Sequence, residues 1–466
     1  MFTLDTYLGH VQRLYASAPT ELVQLISFDG EAAIVQPLSQ LLNSTPALRS
    51  TSYTSHVRSF FSDSRPFADL IAAYLLFCRD APPPDEADDP TALNTSYSLL
   101  EDCYKCVQRR PRPRPLGGCA HVGVVLFPFH RQADKLFAQG DSAWFVPILR
   151  SLTSTLIQVA LKFSTKAGTI MGDRKLIKAG EAARLLSRPM GVAASDRSKE
   201  TPSKRSALFF LVNSTFKVYF AMHNLRLCDT ILSNTSNAVG GSFSEERFYP
   251  KSDRVTFAYY RGRVWLYQRR LPLARNELRK ALGLVEEQAW GNTRLILIYL
   301  IAASLPLGIL PTVHLLREYD LDDQYEGLLL ALTKGNYVQV LAELDRHRAW
   351  HLSKGNYLLL KEKLQVICWR NLVRTTRSSR LASLLIMTHG KPLPPSGPPT
   401  LSLNALVVTA RIAFGDQSLD LDDVEGMCTS LMDQGYLKAY IMHSKALLVL
   451  QKSASFGFPP ISSVHP

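Results

Sequence analysis

The feature that most constrains the fold is the run VTFAYYRGRVWLYQRRLPLARNELRKALGLV at positions 255–285. It reads as two antiparallel helices around a short turn at Arg270–Pro272. Gly262 sits on the first helix, while Ala274, Leu278 and Ala281 line one face of the second. Small residues opposite large ones let two helices pack closely, as in tetratricopeptide-type hairpins. A looser version recurs at 324–350, with its turn at Gly335–Asn336. A lone hairpin cannot bury its apolar face, so stacked neighbours must supply the core and a helical solenoid is expected.

Further helical patterns run over 142–163, 174–188 and 206–232, separated by polar breaks at 189–205 and 233–252. A long amphipathic pattern covers 356–380, with Leu360, Leu364, Ile367 and Val373 on or near one face. The Pro-rich stretch 392–399 separates it from a last helix at 401–414. Towards the N-terminus, helical patterns are interrupted by APPPDEADDP at 81–90. The segment RRPRPRPLGG at 109–118 cannot be regular helix, because proline recurs at every second position. The expected division is an N-terminal helical region at 1–118, a helical repeat array at 119–380 and a terminal subdomain at 381–466. The most apolar run, 295–310, is short and carries Ser304, Pro306 and Gly308, so it reads as a buried helix and no membrane span is expected.

The last 50 residues change character. Asp422 followed by Glu425 resembles a capping box. Leu421, Val424, Cys428, Leu431 and Met432 recur at helical spacing, and Gly435 is placed to end the helix. Tyr436–Ile441 and Ala446–Leu450 are strand-like and flank a polar turn at 442–445. Helix, helix and hairpin in that order are the layout of a winged helix. The fold class is therefore an all-α, TPR-like helical-repeat solenoid ending in a winged helix with a small β-hairpin wing.

No catalytic constellation is present. Gly-rich PLGG at 115–118 lacks the Lys-Ser/Thr that holds nucleotide and metal, and neither HExxH nor G-x-S-x-G occurs. An enzyme is not expected, nor a cofactor. Seven scattered cysteines and the absence of a signal peptide in MFTLDTYLGHVQRL point to a reducing, cytosolic or nuclear compartment. Cys103, Cys106, Cys119 and His121 have the ligand types of a zinc site, but their spacing matches no zinc module and they read as ordinary side chains.

Charge is more informative. With 53 Lys+Arg against 40 Asp+Glu, the net charge of +13 favours polyanionic partners. Within 361–380, Lys361, Lys363, Arg370, Arg374, Arg377 and Arg380 face a single Glu362. Arg370, Arg374 and Arg377 fall at i, i+4 and i+7, a stripe able to lie along a phosphate backbone. Lys438, His443, Lys445 and Lys452 add wing positions that reach phosphate, although His443 alone reads as a turn residue. The helix at 420–434 carries Asp422, Asp423, Glu425 and Asp433 and no Lys or Arg. Such a helix is unsuited to reading bases, so any nucleic-acid binding is expected to be non-specific. A second basic region contains Arg254, Arg261, Arg263, Arg275 and Arg279, suited to an acidic extended peptide.

Helical repeats running into a terminal winged helix resemble the PCI domain, here over about 205–460. The runs YYRGRVWLYQRRLPLARNELRKAL, NTRLILIYLIAASLPLGILP, LLLALTKGNY and DDVEGMCTSLMDQGYLKAYIMHSKALLVLQKSASFGFPP resemble one PCI subfamily. It comprises the PCI subunit of the nuclear-pore-associated transcription-and-export complex and a signalosome-associated relative. The resemblance implies a scaffold that binds a larger PCI-like helical subunit, a small acidic disordered subunit, and RNA or DNA without sequence preference. It implies the nucleus, at the envelope or pore, as the location. The alternative within the same resemblance is a signalosome-associated subunit acting only as a protein-interaction module.

Overall fold

Left-handed glycines at 308, 335, 355 and 415 end helices in the second half of the chain. The computed structural model describes residues 3–28, 33–44, 53–80, 89–104, 136–138, 142–167, 177–198, 201–239, 248–378, 399–452 and 457–464. The chain divides into two compact units, Met1–Phe257 and Ala258–Pro466.

In the first unit, helices α1 (Leu4–Ser17), α2 (Val35–Ser44), α3 (Tyr53–Phe60), α4 (Arg65–Asp80) and α5 (Pro90–Tyr104) precede α6 (Val146–Ala167), α7 (Ile177–Ser195), α8 (Leu208–Ala221) and α9 (Arg226–Val239). Aromatic pairs fill its core: Tyr15 stacks on Phe67 at 4.1 Å, and Phe28 meets Tyr74 edge-on at 5.2 Å. Arg150 clamps the buried carboxylate of Asp253 through two hydrogen bonds, of 2.6 and 3.0 Å. Two expected boundaries are corrected. The helix read as continuous over 206–232 is broken between α8 and α9, where His223 takes a left-handed φ of 54° without any Gly or Pro to announce it. The helix expected to end at 188 instead continues through Pro189 to Ser195.

The first full hairpin of the repeat pattern is α10 (Lys251–Tyr267) and α11 (Leu271–Leu284). A Cβ on Gly262 would lie 2.6 Å from Cγ of Leu278, so the close approach expected from the small residues is real and nothing larger than Gly fits there unless Leu278 moves. Helix α12 (Trp290–Ser304) is apolar on nearly every side because it is enclosed; 72% of the apolar window Trp290–Leu307 is buried. By length and composition alone that window and Ala143–Phe163 are apolar enough to cross a membrane, yet enclosure identifies the former as a core helix.

After α13 (Val313–Glu318), the second hairpin comprises α14 (Asp322–Lys334) and α15 (Tyr337–Arg346), with the turn where it was expected. Gly335 adopts a left-handed φ of 74°, and the Asn336 side chain caps α15 by accepting from Gln339 N. Helix α16 (Arg348–Lys354) leads into α17 (Tyr357–Ser378). Leu360, Leu364, Ile367 and Val373 of α17 are all buried, each contributing roughly 1.5–3 kcal/mol. Helix α17 packs on α14 and α15 and also on the terminal helices, so one rigid rod joins the repeats to the end of the chain.

That end is a winged helix. Strand β1 (Thr400–Ser402) precedes α18 (Leu403–Phe414) and α19 (Leu421–Asp433), followed by β2 (Ala439–Met442) and β3 (Leu447–Leu450). The antiparallel order is β1-β3-β2. Two residues read as helix, Leu401 and Ser402, are therefore strand: with Thr400 before them they pair with Leu448, Leu447 and Val449 respectively. The capping box lies two residues earlier than expected. Asp420 is the N-cap and pairs reciprocally with Asp423, each carboxylate accepting the other's N–H at 3.0 Å. Gly435, at φ 78°, follows the helix end as expected.

Candidate nucleic-acid interface

The sheet of the winged helix presents one open face. The Lys438 carbonyl accepts Gln451 N at 2.9 Å, and Tyr440 pairs with Val449. Strand alternation therefore puts Lys438 and Tyr440 on the same side of β2. Lys438, Tyr440, Val449, Gln451 and Lys452 line an open pocket of about 510 Å³ there. Tyr440 is 56% exposed, an aromatic ring in the same pocket lining as the two lysines. Lysines offer ammonium donors to phosphate, and an exposed ring offers a stacking face to any base. Sequence reasoning named both lysines and missed Tyr440; the available signal was its place two residues after Lys438 in a strand.

Lys445 and His443 lie on the turn joining β2 to β3, and both are exposed. His443 Nδ1 is 3.0 Å from both carboxylate oxygens of Glu425 on α19. That hydrogen bond, together with the charges of Glu425 and Asp422, raises the imidazole pKa above its ordinary value. His443 is thus a turn residue tied to α19. The exposed residues of α19 include Asp422, Asp423, Gly426, Thr429 and Asp433, an acidic surface repellent to a phosphate backbone.

The stripe on α17 is only partly formed. Lys361 and Lys363 are exposed, and the Lys361 ammonium lies 5.8 Å from the Tyr357 ring. Glu362 between them bonds to Arg269 of the α10–α11 turn at 3.1 Å. Arg374 is exposed and Arg377 half-buried, and both engage other groups of the chain. Arg380 lies outside the described residues. Arg370 corrects the expectation: it is 7% exposed, donates to the Pro459 carbonyl at 2.9 Å and lies against the Phe458 ring at 5.7 Å. Burial first, and then the charge of Arg374, lower its pKa. Helical spacing placed it on the face of Arg374 correctly, but the C-terminal segment covers it.

The arginines suited to an acidic peptide also separate. Arg254 is half-buried in the first unit and engages other groups of the chain. Arg261 lies 3.8 Å from Glu277, and the Arg263 guanidinium lies over Tyr299 at 4.4 Å and Tyr259 at 5.4 Å. Arg275 and Arg279 instead line a cavity of about 160 Å³ with Leu282, Leu297, Ile301 and Leu310. Arg275 Nε is buried there without a hydrogen-bond partner among the described residues. Burial and Arg279 lower the Arg275 pKa.

Cys103 is buried in α5, with its thiol pKa pushed up chiefly by that burial. Cys106, Cys119 and His121 lie outside the described residues. Among the described residues, no group of three or more His, Cys, Asp or Glu side chains is placed to hold a metal ion.

No protein-family model matches the chain. Curated relatives do. PCI domain-containing protein 2 of Xenopus laevis is 32% identical over 401 residues, covering 80% of this chain and 92% of the relative. A PCI domain-containing protein of Schizosaccharomyces pombe is 33% identical over 341 residues, covering 71% and 73%. Enhanced ethylene response protein 5 of Arabidopsis thaliana is 29% identical over 410 residues, covering 87% and 91%. At that identity and coverage, the chain belongs to the PCI domain-containing protein 2 family.

Proposed function

We propose that this protein is a non-enzymatic scaffold subunit of a nuclear-pore-associated complex that couples transcription to mRNA export. It holds a larger PCI-like helical subunit and a small acidic disordered subunit, and binds RNA or DNA without sequence specificity. The observation that carries the nucleic-acid part is the pocket of Lys438, Tyr440 and Lys452, in a winged helix whose α19 is acidic. Cation and ring together suit a single strand, while the acidic helix excludes base reading in a major groove. Lys445 on the wing turn and Lys361, Lys363, Arg374 and Arg377 on α17 are further positions for phosphate contact. The cavity beside Arg275 and Arg279 suits an acidic segment with one apolar side chain, since two neighbouring cations there have no carboxylate partner among the described residues. On α18, Val408 and Ile412 are 46% and 68% exposed one turn apart, an apolar face for the larger subunit.

One observation favours the second reading, a signalosome-associated module without nucleic acid. The expected stripe is interrupted within the fold, because Arg370 is covered by Phe458 and Pro459. A tagged pull-down from native extract, read by mass spectrometry, separates the two. Recovery of a nuclear-pore export scaffold with the small acidic subunit supports the export reading. Recovery of signalosome subunits in their place overturns it and leaves the fold untouched.

A further inference from the structure

Arg370 is chemically out of place. A buried guanidinium normally meets a carboxylate, because an uncompensated buried charge is costly. Here it meets one backbone carbonyl and one ring, and its Nε has no hydrogen-bond partner among the described residues. What covers it is the chain's own end. Gly457 O accepts Lys438 N at 2.7 Å, the next two residues are Phe458 and Pro459 over Arg370, and Ile461 packs on Gly308. Val464 then reaches the Gly435 turn at the end of α19.

Two properties make this cover displaceable. Pro459 and Pro460 have no N–H, so this part of the segment cannot be zipped into the sheet by a ladder of hydrogen bonds. The contact with Arg370 is also the weaker of two that a guanidinium can make. A phosphate offers charge and a bidentate geometry, whereas the Pro459 carbonyl is neutral and meets one nitrogen. The same segment touches both basic elements, at Lys438 beside the open pocket and at Arg370 one turn from the exposed Arg374.

We propose that residues 457–464 are an intramolecular cover over Arg370, and that the backbone of a bound single strand displaces them and takes the guanidinium in place of the Pro459 carbonyl. This rests on the reading that the winged-helix face binds nucleic acid. Binding then engages Lys438 and Lys452 first, and release of the cover completes the row Arg370, Arg374, Arg377.

The test is amide hydrogen exchange of the full chain with and without a saturating 20-nucleotide oligouridine. Exchange at Phe458, Ile461 and Val464 is expected to rise on binding. Binding with unchanged or reduced exchange there overturns the cover and leaves the nucleic-acid reading standing. If the chain does not bind the oligonucleotide at all, both fall. A coupled series gives an independent readout. Phe458→Ala with Ile461→Ala is expected to tighten oligouridine binding several-fold with the salt slope unchanged. Arg370→Gln is expected to lower the slope by about 0.7, the contribution of one phosphate on a single strand. In the Arg370→Gln background the tail substitutions are expected to change nothing; a tightening that persists there contradicts displacement.

Discussion

His443 Nδ1 sits 3.0 Å from both oxygens of the Glu425 carboxylate, so the tip of the wing is bound to the helix beneath it. The contact raises the imidazole pKa. The unfolded side chain titrates near 6.5, so this stabilisation is fully present below that pH and is lost as pH rises through the higher folded value. An NMR titration is expected to place the His443 midpoint above 6.5, and Glu425→Gln is expected to bring it down. An unshifted midpoint in the parent protein contradicts the pairing.

His351 has the opposite sign. It is fully buried, neither ring nitrogen has a hydrogen-bond partner among the described residues, and it packs edge-on to Tyr325 at 5.7 Å. Burial first, then the charge of His347, lowers its pKa to about 4. Between pH 6.5 and 4 the unfolded chain takes up a proton that the folded chain refuses. Stability is therefore expected to fall by about 3 kcal/mol across that window, at 1.36 kcal/mol per unit. Urea melts of the parent and His351→Leu across this range check it. Equal pH dependence in the two proteins is the contrary result.

Gly335 and Gly355 share a left-handed backbone, at φ 74° and 72°, but not an environment. A Cβ at 335 would lie 2.4 Å from Leu372 N and 2.7 Å from its Cα, backbone atoms that cannot swing away. At 355 nothing lies within 4 Å. Gly355→Ala is expected to cost about 1–2 kcal/mol, the left-handed penalty alone. Gly335→Ala is expected to cost more than that and to loosen α17 from the second hairpin. Thermal melts of the two variants side by side decide it; equal losses contradict the close packing.

What was legible in the chain was local. The small-against-large pattern of Gly262, Ala274 and Leu278 gave the first hairpin, and Gly435 marked the end of α19. Strand β1 was not legible, because three residues carry no period and Leu401 and Leu403 extend the helical pattern that follows. The break at His223 left no Gly or Pro to read. In the candidate site, Lys438 and Lys452 were readable as exposed cations. Arg370 was misjudged for a non-local reason: its cover, Pro459, lies 89 residues away in sequence. Tyr440 was read only as strand-forming, since its exposure depends on which face of the sheet the terminal helices cover.

The most direct test of the account is the salt dependence of single-stranded RNA binding by two variants. The pair Lys438→Gln and Lys452→Gln, made together, is expected to lower the salt slope by about 1.4, two contacts at roughly 0.7 each. Tyr440→Ala is expected to weaken binding by about 1–3 kcal/mol, the worth of one stacked base, while leaving the slope where it was. That division of labour between ring and cations is the predicted result. A folded double lysine variant with the parent's slope and affinity contradicts it.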